Sequence, residues 1–208
     1  MYLHKTPAIA SKLFPNMRWS VPTKHNEIFL TFDDGPIPEL TPWVLDVLDE
    51  FDAKATFFCV GENVKKYRTI AADLFARGHV IGNHTQHHLN GARTKTNTYL
   101  NDVKKCQNTI NGIAPVQPKL FRPPYGKFKT SQMRILRQEF NIIMWSVLSG
   151  DFDLKLSPEK CLSKTISASK AGSIVVFHDN VKAEKNLRVA LPGFLQHFKS
   201  LGFKFKAL

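Results

Sequence analysis

The sequence predicts an α/β protein in which about seven parallel strands form a closed or nearly closed barrel. Short apolar segments of strand length alternate with longer helical segments along the chain, and this alternation favours parallel strands joined by crossover helices. The 208 residues suit a single domain, since chains usually divide only beyond about 250 residues. An open doubly wound sheet is the alternative, although no G-x-G-x-x-G motif follows the first strand to support a dinucleotide-binding version.

The predicted strands and helices follow one another in alternation. The apolar segments predict strands at 27–32, 55–60, 79–83, 120–122, 141–147, 173–177 and 203–205. The segments between them predict helices at 41–51, 67–77, 97–113, 131–140, from Ser157 onward and at 190–201.

The ends of these helices carry residue types that helix termini favour. Thr41 is expected to cap the first helix with Pro42 in its first turn, and Ser157 is expected to cap a later helix that begins with proline and glutamate. Gly78 and Gly202 follow the last residues of two helices, where a left-handed glycine commonly ends a helix.

The composition excludes several classes of protein. The chain is 43% hydrophobic and 22% charged, which rules out a disordered or collagen-like polymer. No apolar run approaches the roughly 20 residues of a membrane-spanning helix, so no membrane span is expected.

The first residues do not resemble a secretion signal, because Pro7, Lys12 and Pro15 interrupt residues 1–20. A cytoplasmic location is therefore the default expectation, with a removed signal or another route of secretion left open. We expect residues 1–22 to form an N-terminal extension and residues 23–208 to form the barrel domain.

The net charge of +12 would attract polyanions, so nucleic acid and anionic glycans are both considered. The cations are spread over predicted helices and strands without a recognised nucleic-acid motif. A solvated surface is therefore favoured, and nucleic-acid binding is only a remote alternative. Cys59, Cys106 and Cys161 are widely spaced, which favours neither a disulfide framework nor a cysteine zinc site.

The residues with catalytic chemistry follow the predicted strands. The carboxyl ends of the strands of a parallel barrel share one rim, where active sites are built. The residues expected at this rim are Asp33 and Asp34, His84 with His87 and His88, Arg122 with Pro124 and Tyr125, Asp151 and His178. A single active site explains all of these positions together.

The paired acids and the histidine cluster favour a metal site. The H-x-x-x-H spacing brings His84 and His88 to one side of a helical turn or tight loop, whereas His87 is poorly spaced to share the ion. Asp34 would complete a set of two histidines and one carboxylate, and Asp33, pointing elsewhere, would stay free as a base. This set suits catalytic zinc and also non-haem Fe(II), so the ligands alone do not name the chemistry.

Five segments in this order resemble the motifs of the NodB-type polysaccharide deacetylases, carbohydrate esterase family four. The segments are Thr31-Phe-Asp-Asp-Gly35, His84-Thr-x-x-His88, Arg122-Pro-Pro-Tyr-Gly126, Asp151-Phe152 and Val176-Phe-His178. The resemblance covers residues 24–208. It implies a distorted (β/α) barrel and metal-dependent removal of acetyl groups from sugar polymers.

The resemblance also implies a role for each matching residue. Asp34, His84 and His88 would bind zinc, or another divalent metal such as Co²⁺ or Ni²⁺. The other implied roles are Asp33 as general base, Arg122 as the residue that orients it, His178 as general acid, Asp151 as a support for this network, and Tyr125 and Pro124 as substrate-binding residues, with the backbone N–H of Tyr125 in the oxyanion site.

Two positions depart from the family pattern, because Leu148 stands where many relatives have an acid and Phe152 replaces a common tryptophan. These changes leave the metal chemistry intact but weaken inference about the shape of the substrate. The expected function is zinc-dependent deacetylation of an N-acetylated amino-sugar glycan such as peptidoglycan or a chitin-like chain. An O-acetyl esterase acting on xylan is the alternative for the same site, and a non-catalytic glycan-binding relative is a remote one.

Overall fold

The structure is a computed structural model that describes residues 2–114 and 118–208; Met1, the first residue of the expected extension, lies outside the described residues. The strands are β1 (Glu27–Asp33), β2 (Thr56–Cys59), β3 (Val80–Asn83), β4 (Leu120–Phe121), β5 (Asn141–Ile142), β6 (Val147–Leu148), β7 (Ile174–His178) and β8 (Lys204–Lys206). The helices are α1 (Ala8–Leu13), α2 (Leu40–Glu50), α3 (Gly61–Lys66), α4 (Arg68–Ala76), α5 (Thr96–Asn111), α6 (Thr130–Leu136), α7 (Pro158–Ala168) and α8 (Glu184–Ser200). Short 3-10 turns lie at Gly91–Arg93 and Pro124–Gly126.

The strands form a parallel sheet that curls into a partly closed barrel, which confirms the predicted fold class. Neighbouring strands follow the order β5-β4-β3-β2-β1-β7-β6, and β8 pairs with the beginning of β1. These pairings are all parallel. Since β5 and β6 lie at opposite ends of this order but are consecutive in the chain, the stretch 141–148 brings the two edges of the sheet together.

The prediction of one continuous fifth strand at 141–147 is wrong. The beginning of this stretch pairs with β4 and its end pairs with β7. Between the two, Arg18 donates its N–H to the carbonyl of Ile142 and accepts from the N–H of Met144, both at 2.8 Å. The strand is divided where residues near the start of the chain form backbone hydrogen bonds with Ile142 and Met144. We call the stretch 141–148, where the two edges of the sheet meet, the seam.

Residues 2–22 pack along this seam. Backbone bridges connect Lys5 to Val147 and Ser20 to Ser173 in antiparallel orientation, and a parallel bridge connects Arg18 to Ile143. The segment thereby satisfies backbone groups at the edges of the sheet, which a partly closed barrel would otherwise leave open.

Most predicted helices are present with shifted ends, but two differ substantially. α3 is not among the predicted helices, and α8 begins at Glu184 rather than at residue 190. α8 continues through Pro192, a residue type that usually stands at the start of a helix, which is why its first turns were missed. Within the described residues, no helix combines the length and apolarity needed to cross a membrane.

The predicted cap at Ser157 is confirmed, but the one at Thr41 is wrong. Ser157 accepts a hydrogen bond from the N–H of Lys160 at the start of α7. Thr41 lies inside α2, and its hydroxyl instead accepts from the N–H of Ile37 and donates to Asp179.

β1 separates two apolar layers by the alternation of its side chains. Phe32 belongs to the cluster between the sheet and its helices. Phe29 belongs to a second cluster, with Phe58, that lies on the other face of the strand. Thr31 and Asp33 share the face of Phe29, so the strand delivers the carboxylate of Asp33 to the inside of the barrel.

The burial of Phe194 in α8, between the sheet and its helices, predicts that its removal lowers the stability of the protein. This side chain is fully buried, and its ring lies 5.7 Å from the ring of Phe177 and 4.8 Å from that of Phe198. Phe194→Ala should lower the free energy of unfolding by about 3–5 kcal/mol, because it removes apolar contacts and leaves a cavity. Urea unfolding measures this change.

The matched control is Phe75→Ala in α4, since Phe75 is 36% exposed and should cost about 1 kcal/mol or less. Equal losses for the two variants would contradict the assignment of Phe194 to the core.

Candidate metal and catalytic site

The ends of five strands bring the predicted residues to one rim of the barrel. Asp33 is the last residue of β1 and His178 is the last residue of β7, and the two lie opposite each other in the register of these strands. His84 and Arg122 directly follow β3 and β4, and Asp151 comes shortly after β6. The candidate site therefore lies at the carboxyl ends of the strands.

The two adjacent acids point in different directions. Asp33 is buried, and its Oδ1 accepts a hydrogen bond from Nη1 of Arg122 at 2.6 Å. Asp34 has a φ of 84°, a left-handed conformation that is uncommon outside glycine. Its Oδ1 lies 3.6 Å from Nε2 of His84 and 3.0 Å from Nε2 of His88. The carboxylate of Asp33 therefore pairs with the guanidinium of Arg122, and the carboxylate of Asp34 faces the two imidazoles.

Asp34, His84 and His88 could hold a metal ion, because one ligand atom from each lies within 4.8 Å of the others. Nδ1 of His84 lies 2.8 Å from the carbonyl oxygen of Arg122, so it carries the hydrogen and the lone pair of Nε2 faces the carboxylate. Burial lowers the pKa of His84 to about 4, and the ring is therefore neutral at pH 7, as metal binding requires. These donors fit a divalent ion.

Asp34 is ionised under the same conditions. Burial works to raise its pKa, but the hydrogen bond to His88 and the charge of His178 hold the pKa well below its usual range. Oδ2 of Asp34 accepts from the side-chain amide of Asn180 at 2.6 Å, and its carbonyl accepts from the amide of Asn63 at 2.8 Å. These bonds fix the carboxylate with Oδ1 toward the imidazoles.

The H-x-x-x-H pair lies on a tight loop. Thr85 and His88 have positive φ angles of 66° and 54°. Asp102 of α5 holds this loop, because its Oδ2 accepts the backbone N–H groups of Gln86 and His87 at 2.8 and 3.0 Å and its Oδ1 pairs with the ring of His87. The predicted exclusion of His87 from the ligand set agrees with this pairing, which occupies Nδ1 of its ring.

Arg122 is fully buried and its donors are fixed by the barrel interior. Nε and Nη2 donate to the carbonyls of Ile143 and Met144 at 3.3 and 3.1 Å, and Nη1 donates to the hydroxyl of Thr31 at 2.8 Å as well as to Asp33. Burial lowers the pKa of Arg122, and the Asp33 carboxylate opposes this effect. Asp33 is therefore held in one orientation by a cation that cannot move without breaking several bonds.

His178 forms a second pair with Asp151, which is fully buried. Oδ1 of Asp151 lies 2.8 Å from Nδ1 of His178, and Oδ2 accepts the backbone N–H of His178 at 2.7 Å. Burial works to lower the pKa of His178, but the charge and hydrogen bond of Asp151 outweigh it and raise the pKa to about 9. The ring is therefore protonated at neutral pH, and because Asp151 engages Nδ1, the second ring proton lies on Nε2.

The two expected substrate-binding residues lie in the turn Pro124–Gly126, which places Tyr125 beside His88. Tyr125 has a φ of 59°, is 61% exposed, and its ring lies 4.7 Å from the ring of His88. Pro124 is buried, so this turn presents mainly Tyr125 to a ligand. The substrate contacts of both residues stay predictions.

Asp179 and Asn180 have no predicted role, yet both organise the site. Oδ1 of Asp179 accepts the N–H of Gly35 at 3.1 Å and Oδ2 accepts the hydroxyl of Thr41 at 2.6 Å, which ties the turn after β1 to the end of β7. Burial raises the pKa of Asp179 to about 7. The only signal for either residue in the sequence is its position one or two residues after His178.

Comparisons with known proteins find similar proteins over most of the chain. The family profile described as polysaccharide deacetylase matches residues 20–139. The chain is 36% identical over 192 residues to a peptidoglycan-N-acetylglucosamine deacetylase of Bacillus cereus, covering 91% of this chain and 70% of that relative. It is 34% identical over 158 residues to a chitooligosaccharide deacetylase of Azorhizobium caulinodans, covering 74% of each.

A solved structure with the same fold is that of a peptidoglycan N-acetylglucosamine deacetylase in complex with 4-naphthalen-1-yl-N-oxidanyl-benzamide. It superposes with a TM-score of 0.89 at 34% identity, covering 98% of this chain and 95% of that chain.

The geometry of the candidate metal site predicts different effects for substitutions of the neighbouring residues His87 and His88. His88→Ala should weaken Zn²⁺ binding by more than the roughly 10- to 100-fold that loss of an outer hydrogen-bond partner costs, because it removes a ligand. His87→Ala is the matched control and should bind Zn²⁺ within a few-fold of the wild type, as its ring faces Asp102. Isothermal titration of the metal-free proteins measures both affinities. Wild-type affinity in His88→Ala would contradict the ligand assignment.

Proposed function

The chain belongs to the polysaccharide deacetylase family, and on this premise we propose that it is a zinc-dependent hydrolase that removes acetyl groups from the N-acetylated amino sugars of peptidoglycan or chitin-like glycans. The observation that carries the proposal is the separation of Asp33 from Asp34, because this hydrolysis uses one acid at the metal and another to take a proton. Zinc is proposed because two imidazoles and one carboxylate with open positions suit its catalytic sites; Co²⁺ and Ni²⁺ fit the same donors.

When bound by Asp34, His84 and His88, the metal supplies Lewis acidity that lowers the pKa of water and polarises the acetyl carbonyl. Asp33 is the proposed general base. Arg122 donates to its Oδ1 at 2.6 Å, which leaves Oδ2 to take a proton from water as the water oxygen bonds to the acetyl carbon.

His178 is the proposed general acid and stands opposite Asp33 in the register of β1 and β7. It gives its Nε2 proton to the sugar nitrogen as the bond between that nitrogen and the acetyl carbon breaks. The backbone N–H of Tyr125 is proposed to donate to the developing oxyanion. The proton gained by Asp33 balances the proton lost by His178, so the net reaction adds water across the amide bond and releases acetic acid, which ionises to acetate, and an amine.

The charge of the chain favours peptidoglycan among the candidate glycans. Peptidoglycan carries carboxylates, whereas chitin chains are uncharged, and a net charge of +12 attracts the anionic polymer. An O-acetyl esterase is the alternative, since the same groups cleave an ester when the proton of His178 goes to oxygen. A role in glycan binding alone is disfavoured, because binding needs neither a base nor an acid.

The proposal predicts acetate release from acetylated chito-oligosaccharides and peptidoglycan, loss of release with a chelator and recovery with Zn²⁺. Asp33→Asn should lower kcat by about 100-fold or more, because it removes the proton acceptor, while Zn²⁺ binding stays unchanged. Asp46→Asn is the control, since this exposed acid pairs with Arg77 away from the metal ligands.

Faster release from acetylxylan than from N-acetyl sugars would instead favour the O-acetyl esterase. Glycan binding without any release, in a protein loaded with zinc, would contradict an enzymatic role. Unchanged kcat in Asp33→Asn would remove Asp33 from the mechanism.

The raised pKa of His178, about 9, predicts the alkaline limb of the pH profile. A general acid works only while protonated, so kcat/KM should fall as the pH rises through about 9. Asp151→Asn removes the anion that stabilises the protonated ring, so its fall should begin at lower pH. Steady-state kinetics between pH 6 and about 10 give both profiles. An alkaline limb that does not move in Asp151→Asn would contradict the assignment of His178.

A further inference from the structure

We propose that Tyr2 and residues 4–6 position the Asp151–His178 pair, and that Tyr2 is a positioning residue that acts on His178 through Phe152. The inference rests on the proposed function for its catalytic meaning, but the contacts that support it are independent of any substrate.

Residues 2–6 lie along the strand that leads into the acid side of the site. Lys5 bridges Val147 of β6 in antiparallel orientation. The N–H of Leu148 donates to the carbonyl of His4 and the N–H of Thr6 donates to the carbonyl of Ser146, both at 2.9 Å. Nδ1 of His4 also lies 3.1 Å from the carbonyl of Leu148. The segment thus fixes β6 immediately before the loop that carries Asp151.

Tyr2 packs onto that loop. Its hydroxyl donates to Oδ2 of Asp153 at 3.1 Å, and its ring lies 5.1 Å from the ring of Phe152. Gly150 has a φ of +75°, and a Cβ at this position would lie 2.6 Å from the hydroxyl of Tyr2 and 2.9 Å from Cε1 of His4. The two N-terminal side chains therefore occupy the space over the glycine that a larger residue would need.

Phe152 and Asp151 in this loop both contact His178. The ring of Phe152 meets the ring of His178 edge to face at 5.1 Å, and both oxygens of Asp151 bond to His178. Asn186 holds the far side of the loop by donating to the carbonyls of Asp151 and Asp153 at 2.9 and 3.1 Å. Tyr2 and Asn186 thus contact the loop independently of each other. Loss of the Tyr2 side chain should therefore make the loop more mobile while Asp151 keeps its bonds to Asn186.

The proposal predicts a kinetic effect confined to the chemical step. Tyr2→Ala should lower kcat about tenfold with little change in KM, because small displacements of a proton donor are costly to rate. Tyr2→Phe keeps the ring contact with Phe152 and should restore most of kcat. Zn²⁺ affinity should be unchanged in both variants. Leu3→Ala is the matched control, since Leu3 is 56% exposed in the same segment.

Hydrogen–deuterium exchange of the metal-loaded full chain tests the positioning without any substrate. Tyr2→Ala should speed exchange in peptides covering 148–153 and the amide of His178, while peptides covering His84 and His88 stay as in the wild type. Unchanged exchange at 148–153, or the same increase in Leu3→Ala, would overturn the proposal.

Thermal unfolding checks that each variant is folded, and Tyr2→Leu takes the place of Tyr2→Ala if the latter is not. A wild type that releases no acetate would defeat the proposed function, whereas the exchange result would still decide whether Tyr2 holds the loop.

Discussion

The buried guanidinium of Arg122 is the constraint on which the rest of the site depends. A charge removed from water is tolerated only when it is paired and its donors are satisfied. The barrel interior supplies one carboxylate, one hydroxyl and two backbone carbonyls for this purpose. The carbonyl of Arg122 also orients His84. One residue therefore fixes both the proposed base and a metal ligand, and it can do so only where β1, β3, β4 and the stretch 141–148 meet.

The end of β1 places two neighbouring carboxylates in different surroundings. The alternation of the strand sends Asp33 inward to Arg122, and the left-handed conformation of Asp34 turns the next carboxylate toward the histidines. On the β7 side, Asp151 keeps His178 protonated. Asp179, which directly follows His178 at the end of β7, accepts hydrogen bonds from Gly35 and Thr41 and so connects the end of β7 to the turn after β1. The proposed base and His84 thus share Arg122, whereas the proposed acid is held by a separate partner, Asp151.

The fold class and the shared rim could be predicted from the sequence because they follow from local patterns. Strand-sized apolar segments, helix signals and the residues after each strand are all visible within a few positions. The divided fifth strand, the role of Thr41 and the contacts of Tyr2 could not be predicted in this way. They depend on partners far away in the chain, such as Asp179 for Thr41, 138 positions away, and Asp153 for Tyr2, 151 positions away. Asp102 was missed for the same reason, because nothing in α5 itself indicates that it holds the loop of His87.

The most direct test of the proposed metal site is a crystal structure of the zinc-loaded protein with anomalous diffraction recorded across the zinc absorption edge. We predict one anomalous peak bonded to Oδ1 of Asp34 and to Nε2 of both His84 and His88, with Asp33 still hydrogen-bonded to Arg122 and outside the coordination sphere. A peak coordinated by Asp33, or stoichiometric zinc bound elsewhere with these three side chains apart, would contradict it.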